Sequence, residues 1–261
     1  TRTEGTSRMV SVLATANYTW NDIYLADVSV RFDGSSAFGS NQRWAPFFSG
    51  GLGVNLHNYD FLKGNNWVNK LKVRGSYGRT GKVNFPSYAA TTMYETLFDE
   101  WYATGYGAVL KALGNKDLTW EKTDKFNIGV ETQFFDRRLT VEADYYYEKT
   151  IDLVNDVSLS SGFSTYKSNM GEVMNKGFEL TVRTDVYRNR DWIVALWGNM
   201  AHNTNKILKI SDSQKAYNQR VAEFYKKEQD AQNINYSLKD ANYSVPLAQY
   251  EEGQSLTSIW A

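Results

Sequence analysis

Apolar and polar residues alternate with a period of two in every quarter of this sequence. That period sends successive side chains to opposite faces of an extended strand, so the chain must build sheets with one apolar face. In residues 10–20, Val10, Val12, Ala14, Ala16, Tyr18 and Trp20 share a face, with Ser11, Thr15, Asn17 and Thr19 opposite, beside Leu13. After Asn21-Asp22 the pattern resumes, with Tyr24, Ala26, Val28, Val30 and Phe32 set against Asp27, Ser29, Arg31 and Asp33, and the two runs read as a hairpin. Six further strands are predicted near 43–54, 70–78, 122–134, 138–149, 176–186 and 192–202.

The apolar faces need a solvent, either a protein core or lipid. Hydrophobic content is 42% with a mean hydropathy of −0.53. No run approaches the ~18 to 20 apolar residues of a membrane-spanning helix, so a helical membrane protein is excluded.

The connections decide between the two solvents. Tight turns at Asn21-Asp22, Phe135-Asp136-Arg137 and 187–191 alternate with longer loops near 34–42, 79–121, 150–175 and 203–250, with a medium link near 55–69. Short turns on one side and long loops on the other are the habit of transmembrane β-barrels, whose long loops face outside the cell.

Aromatic rings supply a second sign. They make up 15% of the chain, and they flank the tight turns: Tyr18, Trp20 and Tyr24 the first, Phe134 and Phe135 the second, Tyr187 and Trp192 the third. Tyr18, Trp20, Tyr24, Phe134 and Trp192 are therefore expected in an interfacial girdle. The opposite strand faces carry Lys70, Lys72 and Arg74, or Glu142 and Asp144, which suits a wide wet lumen and not the packed interior of a small soluble barrel. Val141, Phe178, Leu180 and Val182 are expected to face lipid, with Glu179, Thr181 and Arg183 facing the lumen.

If the short turns are periplasmic, the first strand descends from outside and both ends of the chain fall among external loops. Residues 1–261 are then expected to be an interior part of a larger barrel, with further strands before Thr1 and after Ala261.

Four segments carry a family likeness. NMGEVMNKGFEL (169–180), LTWEKTDKFNIGVETQFFDRRLTVEADYYYEKTIDLV (118–154), LKVRGSYGRTGK (71–82) and DGSSAFGSNQRWAPFFSGGLG (33–53) resemble, in order and spacing, the barrel blocks of SusC/RagA-type TonB-dependent outer-membrane transporters of Bacteroidetes. The resemblance spans most of residues 8–210. It implies an antiparallel barrel of about twenty-two strands, of which about eight would lie here. It also implies an N-terminal plug, energy from an inner-membrane TonB complex, a SusD-like lipoprotein over the outer mouth, and oligosaccharide or peptide cargo. No plug segment or TonB box occurs in these residues.

Other functions find little footing. Lys+Arg and Asp+Glu are both 29, so no basic field favours nucleic acid. With no Cys and only His57 and His202, no catalytic, metal or cofactor site is expected. SYGRTGKV (76–83) lacks the first Gly and the final Ser/Thr of a phosphate loop, and Asp33-Gly34-Ser35-Ser36 lacks the ligand spacing of an EF-hand.

The loop from 84 to 117 places Tyr88, Tyr94, Phe98, Trp101, Tyr102 and Tyr106 near Glu95, Asp99 and Glu100. Rings beside acids suit a sugar, and Tyr94, Phe98, Trp101, Tyr102 and Tyr106 are the substrate- or partner-contact candidates, although such rings also build a loop's own core. Residues 212–230 have a helical composition with Ser211 or Ser213 as cap, which suits a docking surface for the lid or simple packing within the loop. The competing readings are a small passive or structural eight-stranded outer-membrane barrel and a soluble carbohydrate-binding β-sandwich.

Overall fold

The alternation becomes one antiparallel sheet of eight strands. The structure, a computed structural model, describes residues 8–65, 67–83, 89–103, 105–157, 166–230 and 250–256. In chain order the strands are β1 (Met9–Trp20), β2 (Tyr24–Ser35), β3 (Trp44–Asn55), β4 (Val68–Lys82), β5 (Met93–Tyr102), β6 (Gly105–Ala112), β7 (Glu121–Phe134), β8 (Leu139–Ile151), β9 (Val154–Val157), β10 (Tyr166–Asn169), β11 (Glu172–Arg188) and β12 (Ile193–Lys209), followed by helix α1 (Asp212–Asp230). The large sheet runs β1-β2-β3-β4-β7-β8-β11-β12, while β5-β6 and β9-β10 form separate hairpins within the long connections. A β-sandwich would need a second sheet against this one, and no such sheet is present among the described residues. A small closed barrel would pair β1 with β12, but these strands are the two edges of the sheet.

The strands outrun the sequence-based limits, mostly at the long-loop end: β4 reaches Lys82, β11 begins at Glu172 and β12 extends to Lys209. Ladder hydrogen bonds do not need an apolar face, so pairing continues where both faces are polar and the alternation that marks a strand fades. Trp192 lies in the turn just before β12.

Each tight turn has its own chemistry. Asn21 and Asp22 adopt φ of 52° and 55°, the left-handed pair of a type I′ turn. Phe135, Asp136 and Arg137 are left-handed in succession, at 55°, 54° and 63°. The neighbouring link holds this strained run, since Phe135 N donates to Trp67 O (3.1 Å) and Arg137 N to Asn69 Oδ1 (3.0 Å). At the third turn Asn189 Oδ1 accepts from Asp191 N (2.9 Å) and Trp192 N (2.7 Å).

The register sorts side chains by face, because directly paired residues lie on the same side of a sheet. Trp20, Tyr24, Val54, Val73, Val130, Ala143, Leu180 and Met200 form one continuous apolar row. Val141 pairs with Val182, and Phe178 pairs with Tyr145. The opposite face brings Arg74, Gly129, Asp144 and Glu179 into line, with Lys72, Glu131, Glu142 and Thr181 in the next row.

The apolar band is oblique to these rows. The row through Ala14, Val30 and Phe48 continues as Arg79, Asp124, Lys149, Met174 and Lys206. The upper border of the band thus falls from Val10 on β1 to Met200 on β12. That drop is about ten residues, or roughly 33 Å, over inter-strand spacings of about 4.8 Å, and it corresponds to strands inclined by about 45° to the band.

A small core lies at the long-loop end, on the charged face: Phe38, Ala45, Phe47 and Trp120 are all buried. Trp120 stacks on Phe38 at 4.3 Å and meets the Phe47 ring edge-on at 5.5 Å. Phe47 and Phe48 are adjacent, so both faces of β3 are apolar there, the one sequence sign that a loop folds back over the sheet.

Candidate functional site

Three constructions stand out: a charged wall, a clamp joining the long connections, and an aromatic hairpin. On the wall, Lys70 pairs with Glu131, Arg74 reaches Glu131 at 3.6 Å, and Arg74 Nη2 donates to both oxygens of Asp144 at 2.9 Å. The last contact crosses an entire strand, because Arg74 on β4 and Asp144 on β8 are both opposite Gly129 on β7. A Cβ at Gly129 would lie 2.2 Å from Asp144 Oδ1 and 2.8 Å from Arg74 Nε, so glycine supplies the passage. The device repeats at Gly177 on β11, over which Tyr146 Oη donates to Asn203 Oδ1 at 3.1 Å.

The clamp is made by NMGEVMNKG, the segment that best carries the family resemblance. Asn169 Nδ2 donates to Thr119 O and to Asp152 O, both at 2.8 Å, while its Oδ1 accepts from Thr119 N at 2.8 Å. One amide therefore joins the approaches to β7 and β11 and the exit of β8. Asn115 Nδ2 adds a bond to Lys167 O (3.0 Å), and Asn155 Nδ2 one to Met170 O (2.7 Å). Gly171, at φ +134°, makes the bend into β11, where Glu172 pairs with Lys149 at 2.7 Å. Sequence reasoning found the motif but not the role of Asn169, because its partners are backbone groups 17 and 50 residues away.

On β2, Asp33 is fully buried, 2.9 Å from Arg31 Nη2 but without an aligned hydrogen bond. Arg31 also sits over the Phe47 ring at 5.6 Å. A cavity of about 290 Å³ opens between β11, β12 and the start of α1, lined among others by Glu121, Val173, Ile207, Lys209 and Gln214. Ser211 caps α1, its Oγ accepting from Gln214 N at 3.2 Å. Lys215 on α1 clasps Glu252 at 2.7 Å, and the side chains of Val221, Phe224 and Tyr225 lie outside the described residues.

The loop of contact candidates is in fact the hairpin β5-β6. Phe98 and Tyr94 are 72% and 71% exposed, and Tyr102 and Tyr106 are also exposed, so these rings are not a private loop core. Phe98 meets Tyr106 edge-on at 5.5 Å. Trp101 pairs in register with Tyr106, but its side chain, like those of Asp99 and Glu100, lies outside the described residues, as does Tyr88. Of the acids, Glu95 faces Lys111 at 3.3 Å.

At the tight-turn end the girdle candidates Trp20 and Tyr24 stack at 5.5 Å, and Tyr24 Oη meets Tyr59 Oη at 2.6 Å. Tyr18 and Trp192 stand exposed, and Phe134 contacts Phe135 at 6.3 Å. Tyr59, Phe61 and Trp67 on the link between β3 and β4 extend this aromatic rim; the sequence reading passed over them because the link has no alternation.

Comparison with known proteins gives this architecture its place. Residues 1–253 match the family described as TonB dependent receptor-like, beta-barrel. The chain belongs to this family. TonB-dependent receptor P39 of Formosa agariphila is 34% identical over 215 residues, 81% of this chain and 20% of that protein. TonB-dependent receptor SusC of Bacteroides thetaiotaomicron is 31% identical over 215 residues, covering 78% of this chain and 21% of its own.

Among solved structures, the RagAB peptide transporter superposes with a TM-score of 0.72 at 32% identity over 79% of this chain and 23% of that one. The RagAB peptide importer in its open-open state gives 0.74 at 33% identity, again over 79% of this chain and 22% of that one. The chain spans about a fifth of the length of the curated relatives it matches. It is thus a stretch of a SusC/RagA-type TonB-dependent barrel, a multi-strand outer-membrane protein.

Proposed function

We propose that this stretch is part of the wall and external loops of an active importer, with its apolar face in lipid and its charged face toward a wet lumen. The carrying observation is the oblique apolar band. A lipid slab imposes a level band on a wall of tilted strands, and the inclination of about 45° falls at the edge of the range of about 35° to 45° for outer-membrane barrels. Val141, Phe178, Leu180 and Val182 then meet acyl chains, and the rings of Tyr18, Trp20, Tyr24, Phe134 and Trp192 mark the interface near the tight turns.

Energy comes from a TonB complex acting through a plug, and a SusD-like lipoprotein covers the outer mouth. The family and the RagAB likeness support this reading. The cargo is an oligosaccharide or a peptide; one matched structure is described as a peptide importer, which favours peptides. Tyr94, Phe98, Trp101, Tyr102 and Tyr106 sit on a hairpin that offers rings outward, and they contact the lid or the cargo.

The test is uptake and binding across a panel of glycans and peptides, using the full-length transporter with its lipoprotein and TonB supply. One class of cargo should be accumulated only when TonB is energised. Equal uptake without TonB would instead make this a passive barrel.

A further inference from the structure

The apolar face does not end in a neutral border. Above Phe178 on β11 stands Lys176, paired in register with Thr204 on β12; one pair further up, Met174 is opposite Lys206. Lys176 and Lys206 are thus diagonal neighbours on the same face as Phe178, Leu180 and Met200, and both are exposed. His202 belongs to the same patch, ring to ring with Phe178 at 5.8 Å and with Nε2 3.5 Å from Thr204 Oγ1.

Three other cations along this border have acids. Arg79 is held by Asp124 at 2.6 Å, Lys122 by Asp152 at 2.9 Å and Lys149 by Glu172 at 2.7 Å. Among the described residues no acid is within ion-pair distance of Lys176 or Lys206. Gly253 and Gln254 bond to Ile207 at 2.8 Å, so the described segment 253–256, which contains no Asp or Glu, runs beside β12.

We infer that Lys176 and Lys206, with Thr204 and His202 beside them on β12, form a binding site for a phosphate-bearing lipid of the outer leaflet, whose acyl chains lie against Phe178, Leu180 and Met200. The occupant follows from the arrangement. Two cations without an acid partner among the described residues, at the top of an apolar stripe, complement an amphiphile with an anionic head, and lysine stems run along apolar surface while their heads stay at the polar boundary. The long connections lie at this end of the strands, the end that faces outside in outer-membrane barrels. The site rests on the proposal that this face meets lipid.

The test uses the full-length transporter in detergent, with bisphosphorylated lipid A as probe, dephosphorylated lipid A and inorganic phosphate as comparisons, and native mass spectrometry as readout. Wild type should retain the bisphosphorylated probe over the dephosphorylated one, and millimolar inorganic phosphate should not displace it. Lys176→Gln or Lys206→Gln should each lower retention about fivefold and the pair about thirtyfold, with Lys176→Arg/Lys206→Arg restoring it and Lys111→Gln leaving it unchanged. Retention by the double Gln variant within twofold of wild type would overturn the site. So would equal retention of dephosphorylated lipid by wild type, a comparison that needs no variant to fold, or displacement by inorganic phosphate. If Val141→Arg also assembles normally, the lipid-facing reading fails with it; if that change blocks assembly, only the site fails.

Discussion

At the scale of single residues, glycine and asparagine decide more here than the larger side chains do. Gly129→Ala should push Arg74 off Asp144, because no Cβ fits beneath their contact. We expect it to lower thermal stability in the wild-type protein and to have little effect in an Arg74→Ala background, a non-additivity that melting of the four-variant cycle would read. Asn169→Asp should be more harmful than Asn169→Ala, since it aims a carboxylate oxygen at two backbone carbonyls that the amide now serves. The expected cost is about 1 to 3 kcal/mol, measured as the midpoint at which the folded, heat-modifiable band disappears on a gel. Val141→Arg tests the solvent of the apolar face: a cation near the middle of a bilayer costs about 2 to 4 kcal/mol, so assembly in the membrane should fall sharply. Normal assembly would count heavily against the lipid-facing reading.

At the scale of elements, the strands were legible wherever one face is apolar, and the loops were not. Period two located all eight strands of the sheet, and every stripe read from it shares a face in the register. The hairpins β5-β6 and β9-β10 escaped, because neither is backed by the large sheet and neither shows a sustained apolar face. The helix α1 was foreseen with its cap, yet its fastening to the following segment was not, since the Lys215–Glu252 clasp is 37 residues apart in sequence.

That clasp carries a pH dependence. The Lys215 ammonium, and secondarily the Ile210 amide, hold the Glu252 carboxyl below its ordinary range, and Glu252 raises Lys215 in turn. A lowered carboxylate contributes stability that is present above its unfolded value and is lost as pH falls through its folded value. Protection of the Ile210 amide, corrected for the intrinsic exchange rate, should therefore persist at neutral pH and fade on acidification below the ordinary carboxylate range. Glu252→Gln should remove that dependence.

At the scale of the whole molecule, the outward rings of β5-β6 offer an exposed surface to a partner. Phe98→Ala combined with Tyr94→Ala should weaken either co-purification of the lipoprotein or cargo uptake, with assembly unchanged, and which of the two falls identifies what the hairpin touches. The sequence by itself determined that this chain is a two-faced antiparallel wall with short turns at one end, because side-chain alternation is a local property that each strand displays alone. It also carried the family, through segments that prove to be strand, turn and clamp. Only the tertiary structure decided the inclination of the band, the passage of Arg74 over Gly129, the clamp at Asn169 and, among the described residues, the separation of Lys176 and Lys206 from every acid. Each of these depends on which residues of different strands stand side by side, and register is set by long-range pairing that no single stretch of sequence contains.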